Sequence, residues 1–236
     1  MKALKLCVPV FAGILLAGCG DDDNDVMLET PMPTPPAAEE IMLKVTAVNL
    51  TNGQPLSPIG IALHKEGQFW QIGEAASAEL ETLAEGGDNS GLLGLDVVMM
   101  SSSADAPLAP GSSQELMLTT ESLEDYKLSV ITMMVNTNDG FTGLNAMDVS
   151  NLAEGDSISM RTHAYDAGTE ANTEAQGTIP GPADGGEGFN SAREAMDKVA
   201  MHPGVVGNED GLSNSVLDST HKFDNPLMIV TITRMK

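Results

Sequence analysis

The chain reads as a mainly β protein, an antiparallel β-sandwich with one or two short helices. Three observations predict this. Leu43, Val45 and Ala47 alternate with Lys44 and Thr46, the period of two that marks a half-buried strand. The same alternation runs from Ser157 to Tyr165, where Ile158, Met160, Thr162 and Ala164 share one face. Turn signals such as Asn52-Gly53 and Asn138-Asp139-Gly140 separate several apolar runs, whereas a helical period is clear in one place only.

Taken in order, the first strand starts near Ile41 and a second covers Pro58 to His64, with proline where its missing N–H does least harm. Glu74 to Glu85 has the helical period. Ala76, Leu80, Leu83 and Ala84 form its apolar face, Glu74, Glu79, Glu81 and Glu85 are expected in solvent, and Gly86 is placed to cap its end. Gly91–Met100 and Gln114–Thr119 are weaker strand candidates flanking a Ser/Ala/Pro-rich loop at 101–113. Leu128 to Val135 is an apolar run that breaks into the polar turn 136–140. The long acidic, glycine-rich stretch 171–224 is expected to hold one short helix, at Asn190–Ala200, before Leu227–Thr233 closes the domain as a β-branched strand. The abundant methionines are read as core filler rather than soft-metal ligands.

The N-terminus predicts export. Lys2 and Lys5 precede an apolar stretch, Val8 to Leu16, that is too short to span a bilayer, so residues 1–18 read as a signal peptide. Leu16-Ala17-Gly18-Cys19 is similar to a bacterial lipobox, which implies cleavage before Cys19 and a lipid on its thiol. Cys7 leaves with the signal, so no disulfide is expected despite the exported context. Residues 19–40 then form an acidic, proline-rich tether, and 41–236 a single domain of a size that builds its own core. If the envelope is Gram-negative, Gly20 rather than an aspartate after Cys19 points to sorting to the outer membrane.

All 34 acidic residues but only 9 of the 11 basic ones lie beyond residue 18, a formal charge of −25 for that part. Such a surface repels nucleic acid and attracts cations, and no basic cluster with interleaved aromatics is present. Few aromatics leave only Phe69, Trp70 and Phe141 as a possible sugar-stacking platform. His64, His163, His202 and His221 have no zinc-type spacing, and neither a nucleophile elbow nor a P-loop nor a dinucleotide fingerprint occurs. Carboxylates are too abundant for any pair to single itself out as hydrolytic, so a hydrolase using the acidic loops stays a minor alternative.

The informative stretch is Tyr126 to Glu170. Two strands each deliver carboxylates to a loop containing glycine, a chemistry suited to a hard, oxygen-seeking cation such as calcium. Four segments carry a resemblance. Val45 to Pro58 resembles the opening strand of bacterial spondin domains. Phe69 to Ser77, followed by Leu83-Ala84-Glu85-Gly86-Gly87-Asp88, resembles that family's "G-x-x-A-S … A-E-x-G" helix. Asn138-Asp139-Gly140-Phe141-Thr142-Gly143 and Tyr165-Asp166-Ala167-Gly168-Thr169-Glu170 are similar to its two acidic loops. The resemblance spans about 41–236 with order and rough spacing kept. It implies a sandwich like those of calcium-dependent membrane-binding domains and one calcium ion held by Asp139, Asp166 and Glu170. The family has aspartate where this chain has Glu170. It further implies a non-enzymatic adhesion-like module on a lipid anchor, meeting an extracellular protein or glycan. A structural envelope protein that calcium only stiffens is the alternative.

Overall fold

The alternation of the first strand is realised in full. In β1 (Ile41–Asn49), Leu43, Val45 and Ala47 are fully buried while Lys44 and Thr46 face outward, half-exposed. β1 lies between β4 (Ser113–Thr120) and β10 (Met228–Arg234), and β7 (Ser157–Arg161) completes a four-stranded antiparallel sheet in the order β4-β1-β10-β7. A second sheet, also antiparallel, has six strands. These are β3 (Val98–Ser103), β2 (Gly60–His64), β5 (Lys127–Met133), β6 (Gly140–Asp148), β8 (Ala164–Asp166) and β9 (Ala200–Met201), in that spatial order. The computed structural model describes residues 40–193 and 196–236. Residues 1–18, read as a signal peptide, Cys19 and all of the expected tether but Glu40 lie outside the described residues.

The sheets stack as a β-sandwich. Leu43, Val45, Val230 and Ile232 of one sheet meet Ile61, Leu63, Leu128 and Val130 of the other. The second sheet is also covered on its far face. There Ala62, Ile131 and Phe141 pack against Leu80 and Leu83 of α1 (Ala78–Gly86), Leu92 of α2 (Ser90–Leu93), and Trp70. Cover on both faces is why β2 and β5 read as near-continuous apolar runs rather than as alternation. Among the described residues no helix is long and apolar enough to cross a membrane.

Several expectations need correcting. The helix starts at Ala78, where the Ser77 hydroxyl accepts the Leu80 N–H at 3.2 Å, and its cap is Gly87 (φ 74°), not Gly86. Gly91–Met100 is not one strand, because α2 occupies its first residues and β3 starts only at Val98. The segment 190–200 is not a helix in its described residues. Its backbone donors are engaged elsewhere, Asn190 N–H on Glu85, Asp197 N–H on the Gly168 carbonyl and Val199 N–H on the Glu74 carbonyl. Phe69, Trp70 and Phe141 are buried, so they offer no stacking platform. Met133, Met134 and Met228 fill the core as expected, but Met99, Met117, Met160, Met196 and Met201 are exposed.

Two departures concern the informative stretch itself. β6 follows the 136–140 turn directly, a strand hidden by its glycines and asparagine. Gly143 lies so close to β5 that an added Cβ would stand 1.8 Å from the Val130 carbonyl oxygen. The predicted strand Ser157–Tyr165 is two strands in two sheets. The chain leaves β10 after Arg161, crosses at Thr162-His163, and re-pairs with β6 as β8. The Thr142 hydroxyl holds the crossing, 2.7 Å from the Thr162 hydroxyl and donating to the His163 carbonyl at 2.8 Å.

Candidate metal centre

The β5–β6 hairpin and the end of β8 build the candidate site. Thr137 shapes the turn by donating from its hydroxyl to the Met134 carbonyl at 2.6 Å and accepting the Gly140 N–H at 2.9 Å. Gly140 is required there, since a Cβ would stand 2.5 Å from the Thr137 hydroxyl. In the β6–β8 ladder Gly140 pairs with Asp166, and the Ala167 N–H donates to the Asp139 carbonyl at 3.1 Å. Asp139, immediately before β6, is thus one residue out of register with Asp166 and close enough for their charges to repel. Beyond Asp166 the chain turns sharply at Gly168 (φ 72°), which leaves room for the Lys198 backbone.

Each predicted ligand has a defined environment. Asp139 is fully buried; its Oδ2 accepts the N–H groups of Thr169 at 2.8 Å and Glu170 at 3.0 Å, and the Thr169 hydroxyl at 3.3 Å. Its Oδ1 is buried and has no hydrogen-bond partner among the described residues. Asp166, also buried, accepts the Gly168 N–H at 2.8 Å and the Asn172 amide at 2.5 Å. Glu170 is half-buried. The chain's own donors hold Asp139 Oδ2 and both oxygens of Asp166. Among the described residues no group of three or more His, Cys, Asp or Glu side chains is arranged to hold a metal ion.

Electrostatics mark the same place. Burial, then repulsion from Asp166, pushes the Asp139 carboxyl up to about 6. Burial, then repulsion from Glu85 and Asp139, pushes Glu170 up to about 8. Glu85 was expected in solvent, yet it is buried and its carboxyl is raised, chiefly by that burial. The segment leading to Asn190 covers it, with Phe189 against Gly86 and the Asn190 N–H donating to Glu85 Oε2 at 2.9 Å. The sequence carried one signal of this. Glu81 and Glu85 are four residues apart and directly follow Leu80 and Ala84, on the flank of the apolar stripe rather than opposite it. The acidic turn is covered too. Asn136 Oδ1 accepts the Ala183 N–H at 3.0 Å, and the Asn138 amide donates to Thr178. A groove of about 660 Å³ opens beside it, with Asp166, Glu170, Met201 and Pro203 among its walls.

These shifts set a pH dependence. Asp139 and Glu170 are raised acids, so the stability they contribute is full below their ordinary range near pH 4 and is lost as pH rises toward about 8. His202 has the opposite sign. Buried against Phe223, with Nδ1 accepting the Gly204 N–H at 3.0 Å and Nε2 unpartnered among the described residues, it is held down to about 4. Its contribution is present above pH 6.5 and is lost as pH falls toward 4. The two acids outweigh the one imidazole across this range, so in chelator the protein is expected to lose stability as pH rises from 4 to 8. Urea unfolding midpoints from pH 4 to 8 check this, and a midpoint rising steadily to pH 8 would contradict the buried-carboxylate account.

No protein-family model matches this chain, and no curated protein sequence matches it.

Proposed function

We propose that this chain is a non-enzymatic, calcium-binding module of a bacterial cell envelope, a spondin-like sandwich tethered to the outer membrane by a lipid on Cys19. Asp139, Asp166 and Glu170 are the proposed ligands, and the binding surface is the acidic loop end facing an extracellular protein or glycan. One observation carries the proposal. Asp139 is a fully buried carboxylate with an oxygen that no donor satisfies among the described residues, crowded by further acids. A buried anion of this kind is costly unless a cation joins it. Calcium would supply that charge and draw the two acidic loops into one oxygen cage, with backbone carbonyls and water filling its remaining positions. The Asp166–Glu170 wall of the groove favours partner binding beside the ligands.

The burial of the turn favours a second version, in which calcium only stiffens the fold. Surface retention separates the two. The protein is passed over immobilised envelope polysaccharide and matrix protein in calcium and in chelator, with substitutions on the groove wall that leave thermal unfolding unchanged. Retention that needs both calcium and the groove wall is expected. Retention indifferent to both, with unfolding still calcium-dependent, would leave the stiffening role alone.

A further inference from the structure

Helix α1 brings to the ligand loops a carboxylate that the three-residue site does not use. Glu85, in its last turn, is 1 % exposed. Its Oε2 accepts the Asn190 N–H, whereas Oε1 has no hydrogen-bond partner among the described residues. The Thr169 hydroxyl, with its single proton, donates to Asp139 Oδ2 at 3.3 Å. Asp139 Oδ1 is likewise unpartnered. Two acids, each less than one-tenth exposed, therefore each hold one unsatisfied oxygen, and Glu85 acts electrostatically on both Asp139 and Glu170.

Among the described residues no cationic side chain pairs with these acids; Lys198 lines the groove with Asp166 and Glu170 but is in no salt bridge with them. Arg193, the cationic side chain that acts on Glu85, is engaged by Glu81 at 2.8 Å, by the Ala76 carbonyl at 2.8 Å and by Asp197. Among the described residues none of Glu85, Asp139, Asp166 and Glu170 is in a salt bridge. Unsatisfied buried carboxylate oxygens facing further carboxylates are destabilising in proportion to their burial. Their natural complement is an ion that prefers oxygen and carries at least two charges.

We propose that Glu85 supplies a fourth carboxylate to the cation site, which takes a hard divalent or trivalent ion. This rests on the reading of Asp139, Asp166 and Glu170 as cation ligands. The last turn of α1 is then fastened to the β5–β6 hairpin and the β8 loop through the ion, in addition to its apolar packing on the second sheet.

The chain's single tryptophan makes this measurable. Trp70 packs 5.2 Å from Phe141 and 5.3 Å from Tyr165, the near neighbours of Asp139 and Asp166. Terbium(III) titrated into chelator-treated protein is read by luminescence sensitised through Trp70, with calcium as competitor. Glu85→Gln is expected to weaken both ions on the order of tenfold, and to add about one metal-bound water by luminescence lifetimes in light and heavy water. Glu85→Asp keeps the charge but shortens its reach, so an intermediate loss is expected, and it is the deciding variant should Glu85→Gln not fold. Unchanged affinity and hydration in the folded variants, with the parent binding normally, overturn the role of Glu85 and leave the three-residue site intact. A parent protein with neither sensitised luminescence nor calcium competition removes the site, and this proposal with it.

Discussion

Asp139→Asn is expected to abolish calcium-dependent stabilisation and, in chelator, to leave the protein at least as stable as its parent. With calcium at 100 times its dissociation constant, the parent gains about 2.7 kcal/mol. In the variant, the Asn oxygen still accepts from Thr169 and Glu170, while the new amide N–H replaces the unsatisfied Oδ1 and the repulsion with Asp166 and Glu85 disappears. Removing a buried charge raised to about 6 relieves about 3 kcal/mol at pH 8. Asp166→Asn has a different signature. One of its oxygens meets the Asn172 amide and the other the Gly168 N–H, so an introduced NH₂ faces a donor and costs about 1 kcal/mol even in chelator. Differential scanning calorimetry at pH 5.5 and 8, in calcium and in chelator, resolves all four cases. An equal calcium-induced rise in the parent and in Asp139→Asn would end the assignment of this residue as a ligand.

The larger loss of stability is expected from Phe141→Ala. Phe141 is fully buried on the helix-covered face of the second sheet, 5.2 Å from Trp70 in an edge-to-face contact and 5.4 Å from Tyr165 in a stack. Truncating a buried phenylalanine costs about 3–5 kcal/mol, a large part of the roughly 5–15 kcal/mol that holds a domain folded. The residue also lies two positions after Asp139 and opposite Tyr165 in the β6–β8 ladder, so the cavity opens beneath the ligand loops. Calcium affinity is therefore expected to weaken along with the urea midpoint. Urea unfolding followed by Trp70 fluorescence gives both, and a cost below about 1 kcal/mol would show that the aromatic cluster is not a stabilising centre.

The sandwich was legible because β1 and β10 alternate and face water on one side only. What was not legible has local causes. β6 escaped because Gly140 and Gly143 answer to close contacts with Thr137 and the β5 backbone, which no propensity records. The Ser157–Tyr165 pattern is continuous in sequence although its halves belong to different sheets, because Thr162 and Ala164 stay inward-facing through the crossing. For the site, the acidic loops at Asp139 and Asp166 stood out by composition, and their adjacency follows from a register that only the pairing of β6 with β8 supplies. Glu85 looked like one more exposed glutamate. Its burial depends on a segment a hundred residues later, several of whose backbone donors are engaged at long range. Long-range backbone bonds of that kind also turned the expected 190–200 helix into an irregular cover.

The placement of β1 has a mechanical consequence. Its first residue, Ile41, is at one end of the four-stranded sheet, while Asn49, at its other end, reaches the acidic turn through Gln54, whose amide donates to the Asn136 carbonyl at 3.0 Å. A pull between Ile41 and that turn therefore runs along the strand. β1 is flanked on both sides by antiparallel partners over most of its length, so such a load shears two ladders at once instead of peeling bonds singly from an edge. The same strand that organises the core would then be the element that sets the force at which the domain yields.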